Sequence, residues 1–132
     1  MSDETPADER ERYKLVSMRV VSETGETPSA KVVFADEGME KEAHGEGSGP
    51  VDAAFKALES VVRSGADLLL YSVNNITSGT DAQGEVTVRL AKSGRIVNGQ
   101  GADTDIVVAS VKAYLHALNK LDSKLERAHP QV

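Results

Sequence analysis

The stretch His44-Gly45-Glu46-Gly47-Ser48-Gly49-Pro50-Val51-Asp52 has a counterpart in Asn98-Gly99-Gln100-Gly101-Ala102-Asp103-Thr104-Asp105-Ile106. Each runs from a β-like segment through Gly-x-Gly into an amphipathic helical pattern. After the first, Val51, Phe55, Leu58 and Val62 recur on one face of a 3.6-residue period; after the second, Val107, Val111, Tyr114, Leu118, Leu121 and Leu125 do the same. A unit repeated twice points to two equivalent halves, neither of which buries its apolar face alone, with a site between them.

Working outward, the segments before each Gly-x-Gly read as strands. Val16, Met18 and Val20 alternate with Ser17 and Arg19; Ala30, Val32 and Phe34 share a face; Asp36-Glu37-Gly38 turns into a third strand from Met39 to His44. Gly49-Pro50 sets the first helix start, because a proline at the first helical position forfeits no hydrogen bond, and Asp52 falls in the first turn. Ser64-Gly65-Ala66-Asp67 ends that helix, and the strongly apolar Leu68 to Val73 begins the second half. A Gly-, Thr- and Ser-rich loop, Thr77 to Gly84, leads into the alternating Val86, Val88 and Leu90. Ser93-Gly94 makes a hairpin into Ile96 and Val97, and Asp103 or Thr104 is the expected cap of the second helix. The expected fold is α+β, two pseudo-symmetric βββα units with antiparallel strands packed on two helices.

At 132 residues the chain has room for one domain, and with only 4% aromatics and no Trp its core must be aliphatic. Such a thin core favours oligomerisation, so a dimer is expected. A net charge of −6 without a Lys/Arg cluster argues against nucleic acid as partner. Absence of cysteine excludes disulfide and thiolate chemistry and fits a cytoplasmic protein. No apolar run approaches a membrane span, and Met1 to Arg12 has no signal-peptide character; residues 1–12 read as a disordered arm or connector, and 122–132 as a helix end and tail.

Gly-rich segments at helix starts have two readings. The glycines let the backbone turn and pack closely, or the helix amides receive a carboxylate or phosphate. The first segment lacks the third glycine of Gly-x-Gly-x-x-Gly, position 50 being Pro, and no Gly-x-x-x-x-Gly-Lys-Ser/Thr occurs, so nucleotide binding is not expected. His44, His116 and His129 lack metal-site spacing, and no metal is expected. Ser48, His44 and Asp52 could be written as a triad, but no nucleophile elbow accompanies them. Glu37 to Glu46 reads as a solvated strand face. Tyr71, before Asn74-Asn75, is either a core tyrosine with a satisfied hydroxyl or a pocket wall.

With Gly45-Glu46-Gly47-Ser48-Gly49-Pro50-Val51-Asp52-Ala53-Ala54-Phe55, Asp81-Ala82-Gln83-Gly84 and Thr104-Asp105-Ile106-Val107 in view, the chain from Tyr13 to Leu121 resembles the C-terminal regulatory domain of the 2-isopropylmalate synthase family. The resemblance implies two βββα units, a homodimer, and L-leucine as feedback inhibitor. It also implies that acyl transfer from acetyl-CoA to 2-oxoisovalerate belongs to a metal-dependent TIM barrel of about 250 residues. That barrel would be the domain's partner, and the fragment alone would carry no catalytic residues and no cofactor. By motif the implied effector residues are Gly47, Val51 and Asp52 at the first helix start, Leu68, Tyr71 and Asn75 on the following strand, and Ala82, Gly84 and Ile106. Some relatives have alanine at positions 75 and 84 and an apolar residue at 52, so pocket polarity differs here. The alternatives are a citramalate synthase regulatory domain answering to isoleucine, and a dimerisation module without a ligand.

Overall fold

The structure is a computed structural model describing residues 11–75 and 82–122. Its order is β1 (Tyr13–Val21), β2 (Ser29–Asp36), β3 (Met39–Glu46), α1 (Pro50–Val62), β4 (Asp67–Asn75), β5 (Gly84–Lys92), β6 (Arg95–Asp103) and α2 (Ile106–Leu121). The strands form two antiparallel sheets, β1-β2-β3 and β4-β5-β6, so the double βββα reading holds. Residues 1–10, most of the Thr77–Gly84 loop, Leu125 and His129 lie outside the described residues.

The two units share one strand register. Asp36 pairs with Met39 around Glu37-Gly38, and Lys92 pairs with Arg95 around Ser93-Gly94. All four turn residues have positive φ, at 54°, 87°, 53° and 83°, the conformation a two-residue hairpin needs to match strand twist. By this register Phe34 corresponds to Leu90 and Gly45 to Gly101. The sequence comparison had set Gly45 against Gly99, two residues away from the structural equivalence.

Neither Gly-x-Gly is a turn. Gly45 belongs to β3, and Gly99 and Gly101 to β6, where the helices press on them. A Cβ on Gly45 would lie 2.7 Å from Ala57 Cα and 2.8 Å from Ala53 O; one on Gly101 would lie 2.6 Å from Ala113 N and also meet Ala109 O; one on Gly99 would crowd Ala113 and Ala117. Of the two effects offered by glycine, close packing is the one used here. Gly-on-Ala seams bring α1 onto β3 and α2 onto β6, and the larger side chains fill the remaining core. Val32, Phe34, Leu58, Val86, Val88, Leu90 and Val111 are fully buried.

Three local expectations change. Val16 does not share a face with Met18 and Val20, because the ladder steps from Leu15↔Phe34 to Ser17↔Val33, leaving Val16 in a bulge and 48% exposed. Leu15 takes its place on the core side. The cap of α2 is Asp105, not Asp103 or Thr104: its carboxylate accepts from Val107 N (2.8 Å) and Val108 N (3.3 Å). Asp103 instead accepts from Asp105 N and Lys112 Nζ. Finally, β4, the most apolar strand, is largely exposed at Leu68, Leu69, Leu70 and Val73, contrary to the expectation that every apolar strand face packs under a helix.

Candidate functional site

The start of α1 is shaped by Gly49 and Pro50. Gly49 is the N-cap and contributes no side-chain hydrogen bond, so no side chain caps the first turn of α1, whereas Asp105 caps α2. Helix N-termini carry free amides and the positive end of the dipole. Asp52 sits there and turns back: its Oδ2 accepts from Ser48 N at 2.9 Å and pairs with Lys56 Nζ at 3.2 Å. The Ser48 amide, chiefly, holds the Asp52 carboxyl below its ordinary pKa. Gly47 is required to be small, since a Cβ would lie 2.6 Å from Ala53 N and also meet Asp52 Oδ2.

Tyr71 projects from β4 to the core side, paired in register with the buried Val88. Its ring meets Phe55 of α1 edge-on at 6.0 Å, and Phe55 follows Val51 by one helical turn. The Tyr71 hydroxyl lies 2.7 Å from Ser110 Oγ, and Ser110 Oγ lies 2.7 Å from Ile106 O. Because a serine has a single hydroxyl hydrogen and the carbonyl can only accept, Ser110 donates to Ile106 and Tyr71 donates to Ser110. Val51, Phe55, Tyr71, Ser110 and Ile106 therefore form one continuous path from the first turn of α1, across β4, to the first turn of α2.

Gly84 is buried at the start of β5, paired with Asn75 on one side and Asp103 on the other. It thus lies at the end of the sheet where α2 begins, with the exposed Ala82 beside it. Leu68 is the outlier. It pairs with Leu90 at the opposite end of β4, roughly 20 Å from Asn75 at the usual strand rise. The sequence reading had Phe55 only as a core residue and missed Ser110; a lone serine in the apolar run from Ile106 to Val111 was the available signal.

At the opposite end a cavity of about 300 Å³ is lined by Arg12, Arg63, Lys92 and Arg95 among others. Arg95 donates to the carbonyls of Leu121 and Lys120 at the end of α2, and Arg12 is bound to Asp36 and Asp122. These two cations serve helix-end and carboxylate partners within the fold.

The LeuA allosteric (dimerisation) domain family model matches residues 1–122. Among curated proteins, the 2-isopropylmalate synthase of Thiobacillus denitrificans is 80% identical over 132 residues, covering 100% of this chain and 26% of that protein. Those of Nitrosospira multiformis (71% over 123 residues, 93% of this chain, 24% of that protein) and Aromatoleum aromaticum (64% over 132 residues, 100% and 26%) are similar along the same span. The chain spans about a quarter of the length of these relatives.

Proposed function

This chain belongs to the LeuA allosteric (dimerisation) domain family, and we propose that it is the regulatory domain of a 2-isopropylmalate synthase, binding L-leucine as feedback inhibitor and pairing as a homodimer. Acyl transfer from acetyl-CoA to 2-oxoisovalerate, in this reading, belongs to a catalytic barrel in the part of the longer protein outside this chain.

The family match carries the reading, and the unequal helix starts support a site at α1. The amides of Val51 and Asp52, free of any side-chain cap, receive the leucine carboxylate. The Asp52 carboxylate receives the ammonium group. The isobutyl group lies against Val51 and Ile106, with Tyr71 as wall and Gly84 giving room at the sheet end; its burial contributes roughly 2 kcal/mol. Leu68 does not reach a leucine in contact with Gly84. Inhibition follows only if leucine favours one arrangement of the domain pair, since a ligand shifts an equilibrium by its difference in affinity between states.

Titration calorimetry of the purified chain with leucine, isoleucine, valine and 2-oxoisovalerate tests the proposal. Saturable binding that prefers leucine supports it. A preference for isoleucine would assign the domain to the citramalate branch, and no binding to any of them would leave a dimerisation module without a ligand.

A further inference from the structure

The two units differ in how they cover their first strand. Leu15 and Val20 of β1 pair with the inward residues Phe34 and Ala30 and are packed against the core. Their equivalents, Leu68 and Val73 of β4, pair with the equally inward Leu90 and Val86, yet are 47% and 43% exposed. The cause is helix length. α2 has 16 residues and α1 has 13, and it is the last turn of α2 that holds β1: the Asn119 side chain accepts from Tyr13 N at 2.7 Å and donates to Tyr13 O at 3.0 Å. α1 has no such turn. Phe55 covers the middle of β4 through Tyr71, and the strand is bare on either side.

β4 also lacks the features that usually blunt an edge strand. It flanks β5 on one side only, and from Leu68 to Asn75 it has no Lys, no Pro and no charge of either sign. Around a two-fold axis a patch meets its own copy, so a strand carrying charge of one sign would face like charge. For a chain of net charge −6, an uncharged apolar strip is the surface that two copies can share. The single charge of β4 is Asp67 at its first residue, whereas β1 contains two cations and β2, β3, β5 and β6 each contain charged residues of both signs.

We propose that a second copy of this chain docks on the inward face of β4, β4 against β4 about a two-fold axis, with Leu68 and Val73 of each copy covering those of the other. This deepens the homodimer reading above and rests on it. The partner's strip takes the place of the helix turn that α1 lacks.

Sedimentation equilibrium of the wild-type chain should give the mass of two chains, and Leu68→Asp/Val73→Asp should halve it. Both side chains are exposed in one copy, so circular dichroism should show the variant folded. Met39→Asp, at a 69% exposed residue of β3, should leave the mass unchanged. Because the chain has no cysteine, a second measurement does not depend on the variant's stability: the pair Leu68→Cys/Val73→Cys, too far apart along one strand to join within a copy, should form a covalent dimer on mild oxidation, and Met39→Cys should not. A monomeric wild type at every concentration would remove the homodimer reading and this proposal with it. A dimeric wild type whose Leu68→Asp/Val73→Asp variant is also dimeric, with no crosslink in Leu68→Cys/Val73→Cys, would overturn the β4 face alone.

Discussion

Tyr114 of α2 donates its phenolic hydrogen to Glu59 Oε2 of α1 at 2.6 Å, tying the two helices together at a buried ring. The same carboxylate accepts from Ser64 Oγ at 2.6 Å and Ser64 N at 2.9 Å, so it also holds the exit of α1, where Arg63 is left-handed at φ 50°. Phe55 packs on Tyr114 with centroids 4.4 Å apart. Tyr114→Phe keeps the packing and removes one donor to an ionised acceptor. The expected cost is about 1–2 kcal/mol, read from the urea midpoint; a change below a few tenths would mean that the helices do not depend on this bond.

Burial, and next the Glu59 carboxylate, push the Tyr114 hydroxyl well above its ordinary value of 10.0. A folded-state pKa raised above the unfolded one gives stability that is complete below the unfolded pKa and is lost as pH rises through the interval between them. Stability should therefore decline from about pH 10 upward, and Tyr114→Phe should flatten that decline. An unchanged alkaline slope in the variant would assign the loss to other groups, Tyr13 first, since burial raises its pKa too.

Glycines at the seams and at the cap should respond differently to a methyl group. Gly45→Ala and Gly101→Ala each place Cβ against helix backbone, which must retreat; about 2–3 kcal/mol of destabilisation is expected for each. Gly49→Ala meets nothing within 4 Å and has an extended φ of −159°, so it should change stability by less than about 0.5 kcal/mol. Thermal or urea unfolding of the three variants checks the contrast.

That contrast marks what was legible in the sequence. Ala30, Val32, Phe34 and Val86, Val88, Leu90 were placed on core faces by alternation alone, and Gly49-Pro50 fixed the start of α1, because both signals are local. The bulge at Val16 depends on how β1 meets β2, and the role of Gly45 and Gly101 depends on a helix lying above them; no single strand encodes either. In the site, Tyr71 was singled out with two readings, and the structure satisfies its hydroxyl through Ser110. That partner lies on a different element, α2, two strands further along the chain, so local spacing could not reveal it. The nakedness of β4 was hidden for the same reason, since it follows from the shortness of α1 rather than from β4 itself.

His116 of α2 accepts a hydrogen bond on Nδ1 from Gln100 N at 2.9 Å. Burial chiefly, and Lys120 next, lower its pKa below 6.5. A depressed folded-state pKa means that the unfolded chain takes the proton first as pH falls, so this stability is present above pH 6.5 and is lost progressively below it. His116→Gln, which keeps an acceptor for Gln100, should remove the slope just below pH 6.5 and leave the loss at lower pH. Asp36, Asp52 and Asp103, all held below 3.8, govern that lower region. An identical slope between pH 6.5 and 5 in both proteins would exclude His116 as its source.

The proposed leucine site assigns different work to the two helix starts, and a pair of substitutions separates them. Asp52→Asn retains an oxygen for Ser48 N but removes the charge offered to the ammonium group; leucine affinity should fall at least ten-fold, about 1.4 kcal/mol, with little change in melting temperature. Asp103→Asn alters the corresponding region of the second unit, where Asp105 already caps α2, and should leave affinity unchanged. Gly84→Leu fills the buried sheet end and should abolish binding while circular dichroism stays native. Calorimetry of the three variants decides the assignment. Equal losses from Asp52→Asn and Asp103→Asn would mean that both helix starts bind effector, and unchanged affinity in Gly84→Leu would move the pocket away from the end of β5.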